Sequence, residues 1–388
     1  MDAKTTQKAI IWLCLGHLIA DVYSGFLNPI MPFIAAKLGF SMAIATVIIS
    51  ISHICSSMLQ PIFGFFADNI KRFFIFWGLI LASLFIPLTP LAPNVYILLI
   101  FMILGSLGGS FFHPQSMGFV NYFSGKDCSN NMGIFISMGS LGFAFGPLMA
   151  ALITQVLGLS MIAYTSLFGL ALASVMFLCV PKLSNIEKPP LQKEFFKSFK
   201  DILSNRQMNY LMLISMMKSL ITNSSCILLP FLWKSMNYSP FYIGFALFLF
   251  VFAGAIASFL SPKVEKLVGS KRIVYFSMWA TLPMMVSFAL TYKTHPVLSL
   301  VIFFVIGFTT MLAQPVTMVW AQRTLPEYKS IVAGFINGFC WGIVALCMSI
   351  LGTVAQNFGI MNVLVGLSFV PAISSYFVKY LQEKEYKY

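Results

Sequence analysis

The sequence predicts an all-α membrane protein of twelve transmembrane helices in two pseudo-symmetric six-helix bundles. Three observations predict it: the apolar excess, a series of segments long enough to cross hydrocarbon, and the placement of positive charge. Of 388 residues, 59% are hydrophobic and 9% charged, with a mean hydropathy of +0.88. A soluble domain of this size needs far more polar surface to cover a single core. A helical span needs about 20 apolar residues. Segments of that kind fall at 9–36, 42–66, 73–91, 94–117, 133–157, 160–181, 208–232, 240–260, 272–291, 297–320, 331–356 and 359–380. The alternating segments of about ten residues that mark a membrane barrel do not occur.

Residues 1–30 read as the first of these helices rather than a cleavable leader. The apolar run is long, carries His17 and Asp21, and lacks a small-residue cleavage site. Six spans follow one another to Pro181, and a charged connection over 182–207 then holds Pro189, Pro190 and KEFFKSFKD. Phe195, Phe196 and Phe199 share one helical face there, with lysines around them, which predicts a short amphipathic helix on the inner leaflet. The expected organisation is an N-terminal six-helix bundle over 1–181, a cytoplasmic linker over 182–207 and a C-terminal six-helix bundle over 208–388. The two halves echo each other in order. KRFFIF (71–76) pairs with KRIVYF (271–276), and GFAFG (142–146) with GFCWG (338–342). Pro32-Phe33 aligns with Pro230-Phe231, Pro114 with Pro315, and His113 with Gln314. A parallel repeat of six-helix halves is the plan of one large transporter class.

The formal charge of +13 invites a nucleic-acid partner, and its distribution rejects one. With the N-terminus inside, inner loops and ends carry 20 of the 24 Lys and Arg. Only Lys37, Lys234 and Lys293 fall outside, and Lys218 lies within a span. The asymmetry is the positive-inside rule, and it places both termini in the cytoplasm of a cell (inner) membrane protein. The seven cysteines show no CxxC pair and no ligand spacing, so they read as inert thiols.

Asp21 is the one acid of eleven that falls inside a span. A charge at bilayer depth costs roughly 2.5–3.5 kcal/mol on insertion scales, so such a group is a functional candidate by default. His17, Asp21, Ser24 and Asn28 recur at i, i+4, i+7 and i+11 and form one polar stripe. Ser50, His53, Ser57 and Gln60 line one face of the second span, and Ser106, Ser110 and His113 one face of the fourth. The seventh offers Lys218, Thr222 and Ser225, and the tenth Thr310, Gln314 and Thr317. Polar groups in lipid turn toward protein or a wet cavity. Each stripe also has a plain reading. Ser, Thr and Gly faces serve helix packing, Gln60 and Gln314 serve interhelical hydrogen bonds, and His53 and His113 can be structural histidines. Asp21 and Lys218 can be one ion pair.

His17, Asp21, His53 and His113 suit zinc by ligand type, but they fall on three spans with no HxxxH or HExxH pair, so neither metal nor cofactor is expected. No GxSxG, Cys–His pair or Gly-rich phosphate loop supports an enzyme or ATP hydrolysis. An ion gradient is left as the energy source. Protons suit it best, because a carboxylate beside an imidazole is a natural exchange pair.

Gly64-x-x-x-Asp68 followed by Lys71-Arg72 resembles the cytoplasmic signature of the major facilitator superfamily, departing from it at Asn69 and Ile70. The second copy, PKVEKLVGSKR, keeps Gly269 and Lys271-Arg272 but has Lys266 where the acid would stand. GSLGFAFGPLMAA in the fifth span is similar to the antiporter signature of that superfamily, with Gly142, Gly146 and Pro147 in place. More narrowly, the chain resembles the fosmidomycin resistance protein family of drug efflux transporters. The residues that carry this are GHLIADVYSGFLNPIMP (16–32), LQPIFGFFAD (59–68), FHPQ (112–115), Lys218-Ser219, LLPF (228–231) and WAQRTLPEYKSIVAGFINGFCWG (320–342). Relatives often carry an acid where Gln115 stands here.

The resemblance implies alternating access by two six-helix bundles, with Gly64, Asp68, Lys71 and Arg72 at a cytoplasmic gate. The expectation is a monomeric, proton-coupled antiporter that exports a small organic solute or drug, anionic or phosphonate-like, as in antibiotic resistance. Asp21 exchanges the proton with His17 and His113, while Lys218, Asn28, His53, Gln60, Thr222, Gln314 and Trp341 contact substrate. The alternative is proton-linked import of an organic anion or metabolite.

Overall fold

The computed structural model describes residues 3–60, 62–63, 73–124, 128–181 and 192–382, and among these every regular element is helical. Eleven helices are long and apolar enough to cross a membrane, and Met42–Ser57 is a shorter apolar helix. The helices are α1 (Ala3–Leu38), α2 (Met42–Ser57), α3 (Phe73–Leu88), α4 (Val95–Ser124), α5 (Cys128–Val156) and α6 (Thr165–Cys179). The short α7 (Gln192–Ser204) precedes α8 (Arg206–Ser235), α9 (Pro240–Val268) and α10 (Ser270–Thr291). The tenth span is divided into α11 (Pro296–Leu312) and α12 (Gln314–Thr324). The eleventh comprises α13 (Lys329–Ala333), a π-helical turn over Gly334–Phe339, and α14 (Cys340–Phe358). The last span is α15 (Ile360–Ser374) with a 3₁₀ extension over Ser375–Tyr380.

Helix boundaries follow local chemistry. Side-chain oxygens of Ser41, Asn94, Asn205 and Ser239 accept the backbone N–H of Ile44, Ile97, Met208 and Tyr242, so each caps a helix start. Gly39 takes φ +72° just past α1, and Gly158, Gly269 and Gly359 take φ +98°, +89° and +87° where one helix gives way to the next. That backbone conformation disfavours any residue with a Cβ.

Contacts divide the chain into two compact units: Met1–Pro189 with Pro230–Phe248, and Pro190–Leu229 with Leu249–Tyr388. In the first unit α1 lies along α5 and α3 along α4. A Cβ on Gly142 would strike the carbonyl of Leu18, and one on Gly146 the carbonyl of Val22, so two main chains meet without side chains between them. Gly25 answers from α1, where an added Cβ would lie 2.9 Å from Cδ of Pro147. Gly78 and Gly108 do the same between α3 and α4. Leu13, Leu79, Phe112, Phe135 and Met176 fill the core around these contacts.

In the second unit Met208, Leu211, Trp320, Phe335 and Ile336 share one core cluster. The apolar face of α7 finds protein there rather than only lipid. Ile202 and Ser198 are buried, the Phe199 ring lies 4.6 Å from that of Phe335, and the Tyr328 hydroxyl donates to Asp201 at 2.9 Å. A helix expected on the leaflet is thus docked on the bundle.

Gly142→Ile should destabilise the protein by about 1–3 kcal/mol, since a backbone carbonyl cannot yield to the new side chain. Gly118→Ala, with nothing within 4 Å of the added Cβ, should change stability by under about 0.5 kcal/mol. Thermal unfolding in detergent tests the pair, and equal melting temperatures would refute the close-approach account.

Candidate functional site

Asp21 sits midway along α1 and is held by two imidazoles. His17, one turn earlier on the same helix, places Nε2 3.3 Å from Oδ2, and His113 of α4 places Nε2 3.4 Å from Oδ1. The His17 and His113 rings meet edge to face at 5.1 Å. Nδ1 of His17 lies 2.8 Å from the Phe135 carbonyl of α5. A carbonyl oxygen only accepts, so Nδ1 carries the hydrogen. In neutral His17, Nε2 is therefore a lone pair facing a carboxylate oxygen. Two acceptors cannot rest 3.3 Å apart without a proton or cation between them. The geometry itself calls for a shared positive particle.

Three features fix this arrangement. The Phe135 ring stacks on His17 at 4.0 Å and 24°. Gly139 lies against the pair; a Cβ there would overlap the His17 ring and come within 2.7 Å of Asp21 Oδ2. Gly142 and Gly146 then continue the seam on which α1 rests. The Asp21 and His113 side chains are each 17% exposed and that of His17 is 7% exposed, so the cluster is largely but not wholly enclosed by protein. A cavity of about 560 Å³ opens among α1, α4 and α5 towards the start of α1, and none of His17, Asp21 and His113 lines it. Its wall includes Cys14, three residues before His17, and Met138, beside Gly139.

The other expected site residues are distributed as follows. Asn28 is buried in the first unit, and its Oδ1 has no hydrogen-bond partner. His53 is half-buried on α2, which is pinned to α4 by a hydrogen bond between the Ser52 and Ser106 hydroxyls and one from Ser110 to the Cys55 carbonyl. The Gln60 amide donates to the Ser56 carbonyl at 2.7 Å. In the second unit Lys218 is 2% exposed and its Nζ has no hydrogen-bond partner. Thr222 turns its hydroxyl back to the Lys218 carbonyl at 3.3 Å. Gln314, at the break after Ala313, donates to Asn337 in the π-helical turn at 3.2 Å, and Trp341 is half-buried beyond it. Gly64, Asp68, Lys71 and Arg72 lie outside the described residues. Gly142, Gly146 and Pro147 form the seam with α1.

Sequence reasoning missed Gly139, Phe135 and Asn337. Gly139 stands at three and seven residues before Gly142 and Gly146, a helical spacing that signals a close-approach face. Phe135 contributes a main-chain carbonyl, for which no sequence signal exists. Gln115 is explained differently from what its position suggested. Buried at 3% exposure, it accepts the Ile75 N–H at 2.8 Å and so caps the first turn of α3.

A family model described as Major Facilitator Superfamily matches residues 13–349. The chain belongs to the major facilitator superfamily. It is 25% identical to the fosmidomycin resistance protein of Escherichia coli (strain K12), covering 96% of this chain and 92% of that one. It is 23% identical to an uncharacterized MFS-type transporter, YfnC, of Bacillus subtilis (strain 168), over 96% and 94% of the two chains. Among solved structures it is similar to the nucleoside transporter NupG, with a TM-score of 0.74 at 15% identity and coverage of 98% and 100%. A bacterial homolog of the human lysosomal transporter Spinster gives a TM-score of 0.73 at 13% identity over 98% of both chains. These structures share the fold. The protein is therefore a multi-pass membrane transporter of this superfamily and not an enzyme.

Gln115→Ala should lower stability by about 0.5–2 kcal/mol by stranding the Ile75 N–H. Gln115→Glu, which keeps an acceptor there, should restore most of it. Thermal unfolding of the two variants checks this, and equal losses would remove the capping role.

Proposed function

We propose that this superfamily member is a proton-coupled antiporter that exports a small organic solute, with Asp21 as the proton-exchanging group. One observation carries the reading: the His17–Asp21–His113 cluster needs a shared positive particle and is not wholly enclosed by protein. A carboxylate between two imidazoles can accept a proton from either ring and return it, so a single site can be charged and discharged in each cycle. The seam of Gly142, Gly146 and Pro147, similar to the superfamily's antiporter signature, supports export over import. The excess of Lys and Arg in alternate loops supports cytoplasmic termini in the cell membrane.

A buried group in the second unit supports an anionic substrate class. Lys218 is a buried amine without a partner, and an uncompensated buried cation costs on the order of several kcal/mol. An anionic group, a carboxylate or phosphonate, would offset that cost. The relative named for fosmidomycin resistance is consistent with a drug among the substrates. Gln314 and Asn337 flank a break and a π-helical turn, where backbone groups freed from the helix can serve a ligand. The transporter acts as a monomer in this reading.

Asp21→Asn keeps the size of the side chain and removes its proton exchange. In proteoliposomes it should abolish pH-driven solute movement while the protein elutes normally on gel filtration. Full coupling in that variant would reject Asp21 as the exchanging group. Solute uptake into vesicles acidified inside marks antiport, and uptake driven only by the opposite gradient would establish import instead. Cells expressing the protein should outgrow cells expressing Asp21→Asn on a panel of phosphonates and other antibiotics. Equal growth across the panel would remove drug export.

A further inference from the structure

The geometry points to a three-ligand site for a divalent transition metal ion, Zn²⁺ by ligand type, formed by Nε2 of His17, the carboxylate of Asp21 and Nε2 of His113. Bonds of about 2.0–2.2 Å around a tetrahedral Zn²⁺ set neighbouring ligand atoms about 3.3–3.5 Å apart. Here the two imidazole nitrogens stand 3.3 and 3.4 Å from the carboxylate oxygens, and the three ligand atoms all lie within 4.8 Å of one another. His17 faces Oδ2 and His113 faces Oδ1, so the carboxylate lies between the two imidazoles and presents one oxygen to each.

A second observation is independent of these distances. Metal-binding histidines donate their other ring N–H to a carbonyl or carboxylate, which fixes the tautomer and aims the free nitrogen at the metal. His17 does this: Nδ1 donates to the Phe135 carbonyl at 2.8 Å, and the stacked Phe135 ring holds the imidazole in plane. Gly139 leaves the space beside His17 and Asp21 free of a side chain. The partial exposure of Asp21 and His113 gives an ion a way in and leaves a fourth position for water. The donors are two imidazoles and one carboxylate, a set that suits Zn²⁺, Co²⁺ or Ni²⁺ better than Mg²⁺ or Ca²⁺, which prefer oxygen. The sequence alone argued against a metal because no local motif joins these residues. The ligands come from α1 and α4, and helix packing supplies the adjacency that spacing does not.

Binding does not depend on whether the protein moves protons, so it can be tested apart from transport. The purified full-length chain, free of any polyhistidine tag and stripped by chelator, is titrated in detergent with Co²⁺ and followed by visible absorption. Zn²⁺ is then added as competitor. One Co²⁺ should bind per chain with d–d bands of a four-coordinate site and be displaced by Zn²⁺. Asp21→Asn and His113→Ala should each weaken binding at least about tenfold. In a protein that elutes normally on gel filtration, His113→Cys should retain binding and add a thiolate-to-cobalt charge-transfer band that the unaltered protein lacks. Absence of saturable binding, or binding by Asp21→Asn and His113→Ala as tight as by the unaltered protein, would overturn the site. Proton coupling without metal binding would leave the proposed function standing and remove only this inference.

Discussion

The first unit is organised around the desolvation of one carboxylate. An acid within an apolar helix is expensive to place in lipid, and the fold answers that cost with two imidazoles rather than with a lysine or arginine. Both partners are imidazoles, placed 3.3 and 3.4 Å from the two carboxylate oxygens.

The same constraint explains why α1 and α5 approach so closely. His17 must reach a main-chain carbonyl of α5 to fix its tautomer, and that carbonyl is accessible only if no side chains intervene. Gly139, Gly142 and Gly146 clear the way along three consecutive contacts with α1. The same seam also sets the geometry of the cluster, because shifting α5 by one side-chain thickness would remove the Phe135 carbonyl from His17. Packing and site chemistry are one design here.

The second unit uses polar groups in another way. Lys218 is buried without a partner, and the helices near Gln314 and Asn337 depart from regular α geometry at Ala313 and over Gly334–Phe339. Irregular backbone at membrane depth is tolerated only where protein or a water-filled cavity satisfies it. The Gln314–Asn337 hydrogen bond joins these two interruptions. Proline at 315 and paired glycines at 334 and 338 are the local causes of the departure.

The all-helical membrane fold, the approximate limits of the spans and the family were legible in the chain itself. Those properties depend on local composition and short motifs: apolar length, capping residues such as Ser41 and Asn94, and signatures around Gly142 and Pro147. His17 beside Asp21 was equally readable, since a spacing of four is fixed by helix geometry. The meeting of His113 with Asp21, the carbonyl of Phe135 at His17, the cap from Gln115 to Ile75 and the docking of α7 belong to tertiary structure. Each joins residues from different helices, and the rotation and depth of one helix against another are set by how side chains interlock, which no spacing along a single chain encodes.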